Sequence, residues 1–397
     1  MSNRPLHVIF AGGGTGGHIF PGLAIAQELL AMQPGTTCSW LVSTRPLDTR
    51  ILQAATVGGE PVRFETILAQ PLSLRPRGLW RFVSKWGGSV RASRAAIRTI
   101  RASGAQVGAK GSVVVAAMGG FVAAPAAVAA RAEKAPVLLV NLDGVPGQAN
   151  RMIARYATRI VSAAPLDASR FAKWEVLPPI VRQGARSMLS AQDARRWLGL
   201  DADRPTLLIT GGSQGAGSIN EWMLALLASQ AGRSALRGWQ ALHQTGPEKD
   251  AGSVGIANVG DQLRAAYTAA NVQAVVAPFV DAMGIWWACA TLAICRSGAG
   301  NVAEVWANRV PAIFLPYPFH KDQHQRINAR QLEACGGAVV CTDHVARAAN
   351  MRLVSPVLSN LLSDPTKIAT MRAQLLQLPE ADGARLAAQA LLAMANI

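Results

Sequence analysis

Short apolar runs alternate with longer Ala-rich stretches through the first half of the chain. Brief apolar runs bounded by Gly, Pro or polar residues are typical of buried strands, and Ala/Leu-rich stretches of helices. The pattern predicts strands at residues 7–11, 38–43, 113–117 and 136–141, and helices at 21–32, 91–103 and 125–132. This βαβα alternation predicts a parallel sheet covered by helices on both faces.

The alternation breaks at the Pro178-Pro179 pair and then restarts. The second half predicts a helix at 191–198, a strand at 206–210, a glycine loop at 211–216, a helix to about 230, and strands at 239–244, 272–278, 292–295, 312–315 and 338–340. A chain of 397 residues favours two domains. We therefore predict domains at 1–177 and 187–377, a hinge at 178–186, and a last helix in about 378–397 that packs back on the first domain.

Composition narrows the class of protein. Half of the residues are hydrophobic, yet no apolar run reaches the roughly 18 residues that a membrane-spanning helix needs. The segment after Arg4 is a short strand and a glycine loop instead of a signal peptide, which predicts a cytoplasmic location. The five cysteines form no CxxC pair, so we expect free thiols and no metal or other cofactor.

The net charge of +16 indicates an anionic partner. No acidic residue lies between Glu65 and Glu133, and basic and aromatic side chains are interleaved there at Trp80, Arg81, Phe82, Lys85 and Trp86. Such a stretch suits a membrane interface, where cations meet anionic headgroups and Trp rings lie at headgroup depth. A core helix with a solvated basic face is the alternative. Nucleic acid is not expected, because no RNA-binding signature or zinc finger is present.

A glycine loop opens the chain between the first strand and the first helix. It includes Gly14, Thr15, Gly16, Gly17 and His18. Glycines let the backbone approach a ligand closely, and N–H groups at a helix start favour negative charge. No Lys-Ser/Thr follows, so this is not a P-loop, and the second strand ends without the acidic residue of a dinucleotide site. The sequence leaves three roles open for His18: general base, phosphate contact or structural residue.

Further strand–turn–helix junctions carry polar or glycine residues. Open α/β sheets bind ligands at the carboxyl ends of their strands, where these junctions lie. Glu304 lies in the predicted helix that follows Gly298, and a carboxylate there can accept hydrogen bonds from both hydroxyls of a ribose. The candidates are Gly119 and Gly120; Ser213 and Gln214; Arg296, Ser297 and Gly298; Glu304; and Gln325 and Asn328.

Two further patterns give only weak evidence for a metal site. His320 and His324 have the i, i+4 spacing of a metal pair but no evident third ligand. Asp201 and Asp203 form a DxD pattern, which between a helix and a strand indicates a solvated turn.

Taken in order, these motifs resemble those of the MurG family of peptidoglycan N-acetylglucosaminyltransferases. The resemblance covers roughly residues 6–345. It rests on the opening loop through Pro21-Gly22-Leu23-Ala24, Met118-Gly119-Gly120, the 211–216 loop, Phe279-Val280-Asp281, 295–299, Glu304 and the polar segment up to Asn328. A single glycine loop is a weak signal, but this ordered set is specific.

The resemblance implies the GT-B fold, in which two Rossmann-like domains have parallel sheets facing across a cleft. It implies UDP-N-acetylglucosamine (UDP-GlcNAc) as donor and undecaprenyl-pyrophosphoryl-MurNAc-pentapeptide (lipid I) as acceptor. The product, lipid II, would form with inversion, without an essential metal, at the cytoplasmic side of the cell membrane. On the donor side, Glu304 would hold the ribose, Val280 the uracil, and Ser213, Gln214, Arg296, Ser297 and Gly298 the diphosphate, with Gln325 and Asn328 near the sugar.

The chain departs from the family on the acceptor side. The family's His-Glu-Gln-Asn is replaced by Val140-Asn141-Leu142-Asp143, although Asn150 further on matches. Before Arg182, which could add charge for the leaving diphosphate, the family's Gly-Asn-Pro is replaced by Pro178-Pro179-Ile180. We favour His18 as the general base, with Asp143 as the alternative. Two other functions remain open: transfer to a different lipid-linked acceptor, and a membrane-bound non-catalytic relative.

Overall fold

The structure, a computed structural model, describes residues 6–14, 16–70, 76–105, 112–212, 215–247, 258–319 and 322–395. The chain divides into two compact units. The first contains the residues up to Arg182 together with those from Asp382 onward, and the second is Gln183–Ala381.

The elements of the amino-terminal part alternate as the sequence predicts. The strands are β1 Leu6–Gly12, β2 Thr37–Ser43, β3 Thr56–Val57, β4 Glu60–Pro61, β5 Arg63–Ile67, β6 Ser112–Gly119, β7 Val137–Asn141, β8 Arg159–Ser162 and β9 Glu175–Val176. The helices are α1 Gly16–Met32, α2 Pro46–Gln53, α3 Pro76–Ala105, α4 Gly120–Ala132, α5 Gln148–Ile153 and α6 Ala168–Phe171.

The remaining elements follow a short 3₁₀ turn at Gln183–Ala185. The strands are β10 Thr206–Thr210, β11 Gln240–Gln244, β12 Ala274–Ala277, β13 Leu292–Cys295, β14 Ala312–Phe314 and β15 Ala338–Val340. The helices are α7 Ala191–Trp197, α8 Gly217–Ala228, α9 Gln230–Ala235, α10 Val259–Ala269, α11 Met283–Cys289, α12 Ala299–Asn308, α13 His324–Ala334, α14 Arg347–Leu353, α15 Ser355–Leu362, α16 Pro365–Leu376 and α17 Gly383–Ala395.

Each unit is built on its own parallel sheet. Within the described residues the first sheet has the order β5-β2-β1-β6-β7-β8-β9 and the second β12-β11-β10-β13-β14-β15. The central strands are buried on both faces, as in β10, where all five residues are buried. This explains why they read as unbroken apolar runs without alternation. The prediction of two α/β domains with parallel sheets is confirmed.

Two helices begin earlier than the sequence predicts. The prolines Pro21 and Pro125 mark the predicted starts, but α1 begins at Gly16 and α4 at Gly120, so both prolines lie inside helices. A proline there removes one helical hydrogen bond. In α1 the carbonyl left without this bond belongs to Gly17, which is exposed and can be solvated.

The last helix belongs to the first unit. Helix α17 packs against α1 and also contacts β6 and β7. Its buried face consists of small and aliphatic residues, among them Ala387, Ala388 and Leu391. The chain therefore returns to the first sheet after completing the second.

Candidate functional site

Two glycine turns meet at the carboxyl ends of β1 and β6 in the first unit. These strands are neighbours, and Gly12 pairs with Gly119 where they end. Gly14, Gly119 and Gly120 have φ of +87°, +96° and +77°, a left-handed conformation that favours glycine. A Cβ on Gly120 would lie 3.0 Å from the Gly13 carbonyl oxygen. The two loops are thus in direct contact and leave no room for side chains between them.

His18 lies in the first turn of α1 against the second glycine turn. Cβ atoms on Gly119 and Gly120 would lie 3.3–3.4 Å from its ring atoms, and its imidazole donates a hydrogen bond to the Gly13 carbonyl. Burial lowers the pKa of His18, although the Asp143 charge, this hydrogen bond and the Asp48 charge act in the opposite direction. A lowered pKa keeps the imidazole neutral at pH 7, as a general base requires.

The other opening-loop candidates surround this histidine. Gly16 is buried and Gly17 exposed at the start of α1. Thr15 lies outside the described residues.

The segment that departs from the family is held by an amide network. Asn141 is fully buried, and its amide group donates to the Ser162 hydroxyl at 2.8 Å and to the Asp143 carbonyl at 2.7 Å. Asn150 donates to the Asn141 side-chain oxygen at 2.9 Å. The Asn150 oxygen lies 2.9 Å from the Cβ position of Gly119. The structure therefore brings Asp143 and Asn150 together with His18 and the second glycine turn.

An acidic residue that the sequence analysis missed lies beneath the first loop. Asp48, in the first turn of α2, is completely buried. Its Oδ2 accepts hydrogen bonds from the Gly14 N–H at 2.7 Å, the Ser43 N–H at 3.2 Å and the Ser43 hydroxyl at 2.5 Å. Arg45 donates to the Gly14 carbonyl at 2.7 Å. Asp48 is not the acid of a dinucleotide site, because it lies beyond the end of β2, in the next helix, and binds the protein itself.

In the second unit, a glycine turn joins β10 to α8. Gly212 and Gly215 have φ of +76° and +67°, and a Cβ on Gly215 would collide with the Thr245 carbonyl. The Gly212 N–H donates to the Thr210 hydroxyl at 3.0 Å. The predicted contacts Ser213 and Gln214 lie outside the described residues, so the structure gives only the turn that carries them.

A second buried network, also missed from the sequence, supports that turn. His243 is fully buried between the Tyr267 hydroxyl and the Asn220 side-chain oxygen, each at 3.0 Å. The Asn220 amide donates to the Thr245 carbonyl at 3.0 Å. Burial lowers the pKa of His243 to about 3, so the ring is uncharged at neutral pH. This histidine is structural.

Arg296 is held by partners within the second unit. Its guanidinium is buried and donates to the Leu315 carbonyl and the Ser218 hydroxyl, both at 2.8 Å. It also pairs with the buried Asp343 carboxylate at 2.7 Å. The side chain is therefore engaged with protein partners and tied to a counter-charge, and its contact with a diphosphate stays a prediction. Asp343 was not found from the sequence, because it lies outside the matched motifs.

The start of α12 is open to a ligand. Gly298 is the N-cap, and Cβ atoms on Gly298 and Gly300 would meet nothing within 4 Å. N–H groups of a first helical turn lack partners within the helix and suit a diphosphate. The Ser297 hydroxyl is buried and has no hydrogen-bond partner among the described residues. Asn301 donates to the Arg296 carbonyl at 2.9 Å.

The remaining donor-side candidates lie on α12, α13 and the loop before α11. Glu304 is half-buried in α12, and its Oε2 accepts from the Trp287 indole at 2.8 Å. Asn328 is buried and donates to the Ser297 carbonyl at 3.3 Å, and the Gln325 side chain accepts from the Tyr317 N–H at 2.9 Å. Val280 is buried.

Arg182 and His320 remain. Arg182, predicted on the donor side, is the last residue of the first unit before the chain crosses over, and its guanidinium lies 4.8 Å from the Phe20 ring centre. The structure thus groups it with α1. His320 and Lys321 lie outside the described residues.

The basic and aromatic stretch forms the exposed first half of α3. The helix begins at Pro76, fifteen residues before the predicted start at 91, so it includes this stretch. Trp80, Arg81 and Lys85 are exposed, Trp80 by 72%, whereas Phe82 and Trp86 are partly buried with ring centres 5.2 Å apart. The second half joins the core.

The cations in the second half of α3 are used within the protein. Arg94 and Arg98 pair with Glu133 at 2.8 and 2.9 Å. The core-helix interpretation therefore fits the second half of α3, and the exposed first half carries the candidate docking surface. In the described part of the chain, we find no helix long and apolar enough to cross a membrane.

Comparison with known proteins identifies the family. Residues 8–162 match the glycosyltransferase family 28 N-terminal domain, and residues 206–387 match the C-terminal domain of the same family. The UDP-N-acetylglucosamine–N-acetylmuramyl-(pentapeptide) pyrophosphoryl-undecaprenol N-acetylglucosamine transferase of Mycobacterium ulcerans is 34% identical over 401 residues, covering 99% of this chain and 92% of that protein. The chain belongs to the MurG family.

Solved structures agree with this assignment. The crystal structure of Acinetobacter baumannii MurG superposes with a TM-score of 0.66 and 25% identity, covering 98% of this chain and 100% of that one. A UDP-N-acetylglucosamine 2-epimerase gives a TM-score of 0.61 at 13% identity, which shows a shared fold only. The family resemblance and the GT-B fold class predicted from the sequence are confirmed.

Proposed function

We propose that this protein transfers N-acetylglucosamine from UDP-GlcNAc to lipid I and thereby forms lipid II for peptidoglycan synthesis. The observation that carries the proposal is the 34% identity, over 99% of the chain, to transferases named for this reaction. A Nocardioides transferase of the same name is 35% identical over 341 residues. The retained glycine turns and Glu304 support an active enzyme over a non-catalytic relative.

The second unit would bind the donor. The open start of α12 offers backbone N–H groups to the diphosphate, with the buried Ser297 hydroxyl beside them. Glu304, fixed by the Trp287 indole, would accept from the ribose hydroxyls. Ser213 and Gln214 would complete the diphosphate contacts, Val280 would meet the uracil, and Gln325 and Asn328 would face the sugar.

The first unit would bind the acceptor and supply the base. The acceptor hydroxyl attacks the anomeric carbon as the bond to UDP breaks, which inverts that carbon. The hydroxyl proton passes to the neutral imidazole of His18, with Asp143 as the alternative base. The turns at Gly14–Gly17 and Gly119–Gly120 and the Asn150 amide would hold the acceptor's pyrophosphate and its surroundings.

The exposed first half of α3 would dock the enzyme on the inner face of the cell membrane. Trp80 and Val83 are exposed by 72% and 63%, and Arg81 and Lys85 are exposed next to them. Aromatic and aliphatic side chains insert at headgroup depth, and each nearby cation adds about 1 kcal/mol on an anionic surface. Docking there would bring the acceptor site close to a lipid-linked substrate.

A donor and acceptor panel tests the proposal. Purified protein is incubated with UDP-GlcNAc or UDP-glucose, with lipid I or another undecaprenyl-pyrophosphate-linked sugar, and UDP release is followed. We expect rapid release only with UDP-GlcNAc and lipid I together. UDP release with the other acceptor but not with lipid I would favour the altered acceptor specificity suggested by residues 140–143. Failure to bind UDP-GlcNAc would favour the non-catalytic scaffold.

A further inference from the structure

The carboxylate of Asp48 is an unusual group to find under a ligand loop. It is completely buried, and Oδ2 alone accepts three hydrogen bonds, from the Gly14 N–H and from the N–H and hydroxyl of Ser43. Its other oxygen has no hydrogen-bond partner among the described residues. Burying a carboxylate costs free energy unless its charge is paired and its oxygens accept hydrogen bonds.

One peptide group links this carboxylate to His18. The Gly14 N–H that Asp48 binds at 2.7 Å belongs to the same peptide plane as the Gly13 carbonyl, which accepts from the His18 imidazole. The Gly13 oxygen and His18 Nδ1 also face the same point of the second glycine turn, 3.0 Å and 3.3 Å from the Cβ position of Gly120. The order is carboxylate, N–H, C=O, imidazole.

Such a chain polarises the peptide. A negative charge on the N–H side increases the negative charge on the carbonyl oxygen, and hydrogen bonds in series strengthen one another. A more negative carbonyl oxygen fixes the proton on the facing ring nitrogen. It also stabilises the imidazolium that forms when the other nitrogen accepts a proton, as a carboxylate does directly in a serine-protease triad.

We propose that Asp48 is a positioning residue that acts on His18 through the Gly13–Gly14 peptide, fixing its tautomer and supporting its protonated form during transfer. The inference rests on His18 as the base of the proposed function. Arg45 holds the same loop from the other side, because it donates to the Gly14 carbonyl at 2.7 Å and lies 5.2 Å from the Phe121 ring centre. Arg45 therefore helps to hold the loop in place, and Asp48 adds the negative charge next to the Gly14 N–H.

Other charged groups near His18 also affect its pKa. Asp143 follows β7 and also acts on the imidazole, and the nearby Arg45 guanidinium donates to the Gly14 carbonyl. The effect of Asp48 must therefore be measured by changing Asp48 alone.

The first experiment follows His18 itself by NMR. The imidazole of His18, assigned with His18→Ala, is titrated in the wild-type protein and in Asp48→Asn, without substrates. The amide keeps an acceptor for the Gly14 N–H but loses the charge, so we expect the His18 pKa to fall by about one unit. Ser43→Ala, which removes a hydrogen bond to the same oxygen and keeps the charge, should leave the pKa near the wild-type value. Asp167→Asn, at an exposed helix cap, is the control for a distant charge.

The second experiment measures steady-state kinetics as a function of pH. For Asp48→Asn we expect about tenfold lower kcat at pH 7, unchanged KM for UDP-GlcNAc, and an acid limb of kcat/KM moved to lower pH by the same unit. Loss of structure around Asp48 would instead lower Tm and change the amide spectrum throughout the first unit. An unshifted acid limb and His18 pKa in a folded Asp48→Asn protein would overturn the inference.

A wild-type measurement covers the case in which the variant does not fold. The Gly14 amide resonance should move with pH in step with the His18 titration, because both belong to one hydrogen-bonded chain. A Gly14 amide that is indifferent to the His18 titration would also overturn the inference. If His18 responds to Asp48 but lipid I is not converted, the proposed function fails and the link between the two residues stands.

Discussion

At the scale of single residues, the proposed acceptor-side chemistry requires a histidine kept neutral by its surroundings. His18 packs on the glycine pair that ends β6, and burial lowers its pKa below the usual 6.5. The imidazole is therefore unprotonated at pH 7, ready to accept a proton. The base is lost only when pH falls through this lowered pKa.

The pH dependence of kcat/KM tests the role of His18. We expect activity to hold at neutral pH and to fall on an acid limb below pH 6.5. His18→Ala should lower kcat by about 10²–10⁴-fold and remove that limb. Asp143→Asn should keep the limb. A fully active His18→Ala enzyme with an inactive Asp143→Asn would assign the base to Asp143 instead.

Glu304 gives a donor-side prediction. Replacing it with Gln removes the charge that we propose accepts from the ribose hydroxyls, at a cost of about 1.5–3 kcal/mol for hydrogen bonds to a charged group. Initial-rate kinetics should show KM for UDP-GlcNAc raised by at least tenfold and KM for lipid I unchanged. Glu221→Gln, at an exposed position of α8, is the matched control. An unchanged donor KM would remove Glu304 from the ribose site.

At the scale of elements, helix α3 combines two environments in one continuous helix. Its second half is fixed by the buried Ser93 and Ile97 and by the ion pairs of Arg94 and Arg98 with Glu133. Its first half exposes Trp80 by 72%. The sequence indicated the basic-aromatic stretch but started the helix at 91, because Gly87 and Gly88 interrupt the helical pattern. Glycine weakens an exposed helix by about 1 kcal/mol, which the packing of the second half offsets.

Vesicle binding tests the first half of α3. Trp80→Ser should weaken binding to anionic vesicles, and Arg81→Gln with Lys85→Gln should weaken it about thirtyfold, from about 1 kcal/mol per cation. Trp197→Ser is the matched control, because that indole on α7 is also exposed, by 64%. Equal loss of binding in the control, or no loss in the α3 variants, would place the docking surface elsewhere.

The ion pair of Arg296 and Asp343 joins the loop after β13 to the segment after β15. Burial opposes ionisation of Asp343, yet donors from Asn350, Ser218 and the Val345 N–H, together with the Arg296 charge, lower its pKa. A carboxylate with a lowered pKa contributes stability above its unfolded pKa, and that stability is lost as pH falls through the folded value.

Denaturant unfolding tests this pair. Asp343→Ala leaves a buried guanidinium without its counter-charge, so we expect the free energy of unfolding to fall by about 3–5 kcal/mol. Asp261→Ala removes an exposed pair with Arg264 and should cost less than about 1 kcal/mol. A loss for Asp343→Ala no larger than that of the control would show that solvent screens the pair.

At the scale of the whole molecule, much of the architecture could be read from the sequence. Strands such as β10 and β13 are buried on both faces, so their apolar runs gave their bounds residue for residue. The edge strand β5 was missed because three of its five residues are exposed and break the pattern. Asp48, Asp343 and His243 were missed for another reason: each has a partner far along the chain, Gly14, Arg296 and Tyr267 at 34, 47 and 24 residues, which only tertiary structure brings close.

Division of labour between the units predicts where the donor acts. Hydrogen–deuterium exchange with saturating UDP should slow at the start of α12 and around Gly212 in the second unit. The turn at Gly119 and Gly120 in the first unit should be unaffected by UDP and slowed by an acceptor analogue. Protection of the first unit's glycine turns by UDP alone would reverse the assignment.

The central claim concerns the reaction, so the identity of the product is its most direct test. Purified protein, UDP-GlcNAc and lipid I are incubated in anionic vesicles, and the lipid product is analysed by mass spectrometry and by NMR of the new glycosidic bond. We predict lipid I extended by one N-acetylhexosamine with inverted configuration at the transferred carbon. Recovery of unmodified lipid I from an enzyme that binds UDP-GlcNAc, or a product with retained configuration, would contradict the account.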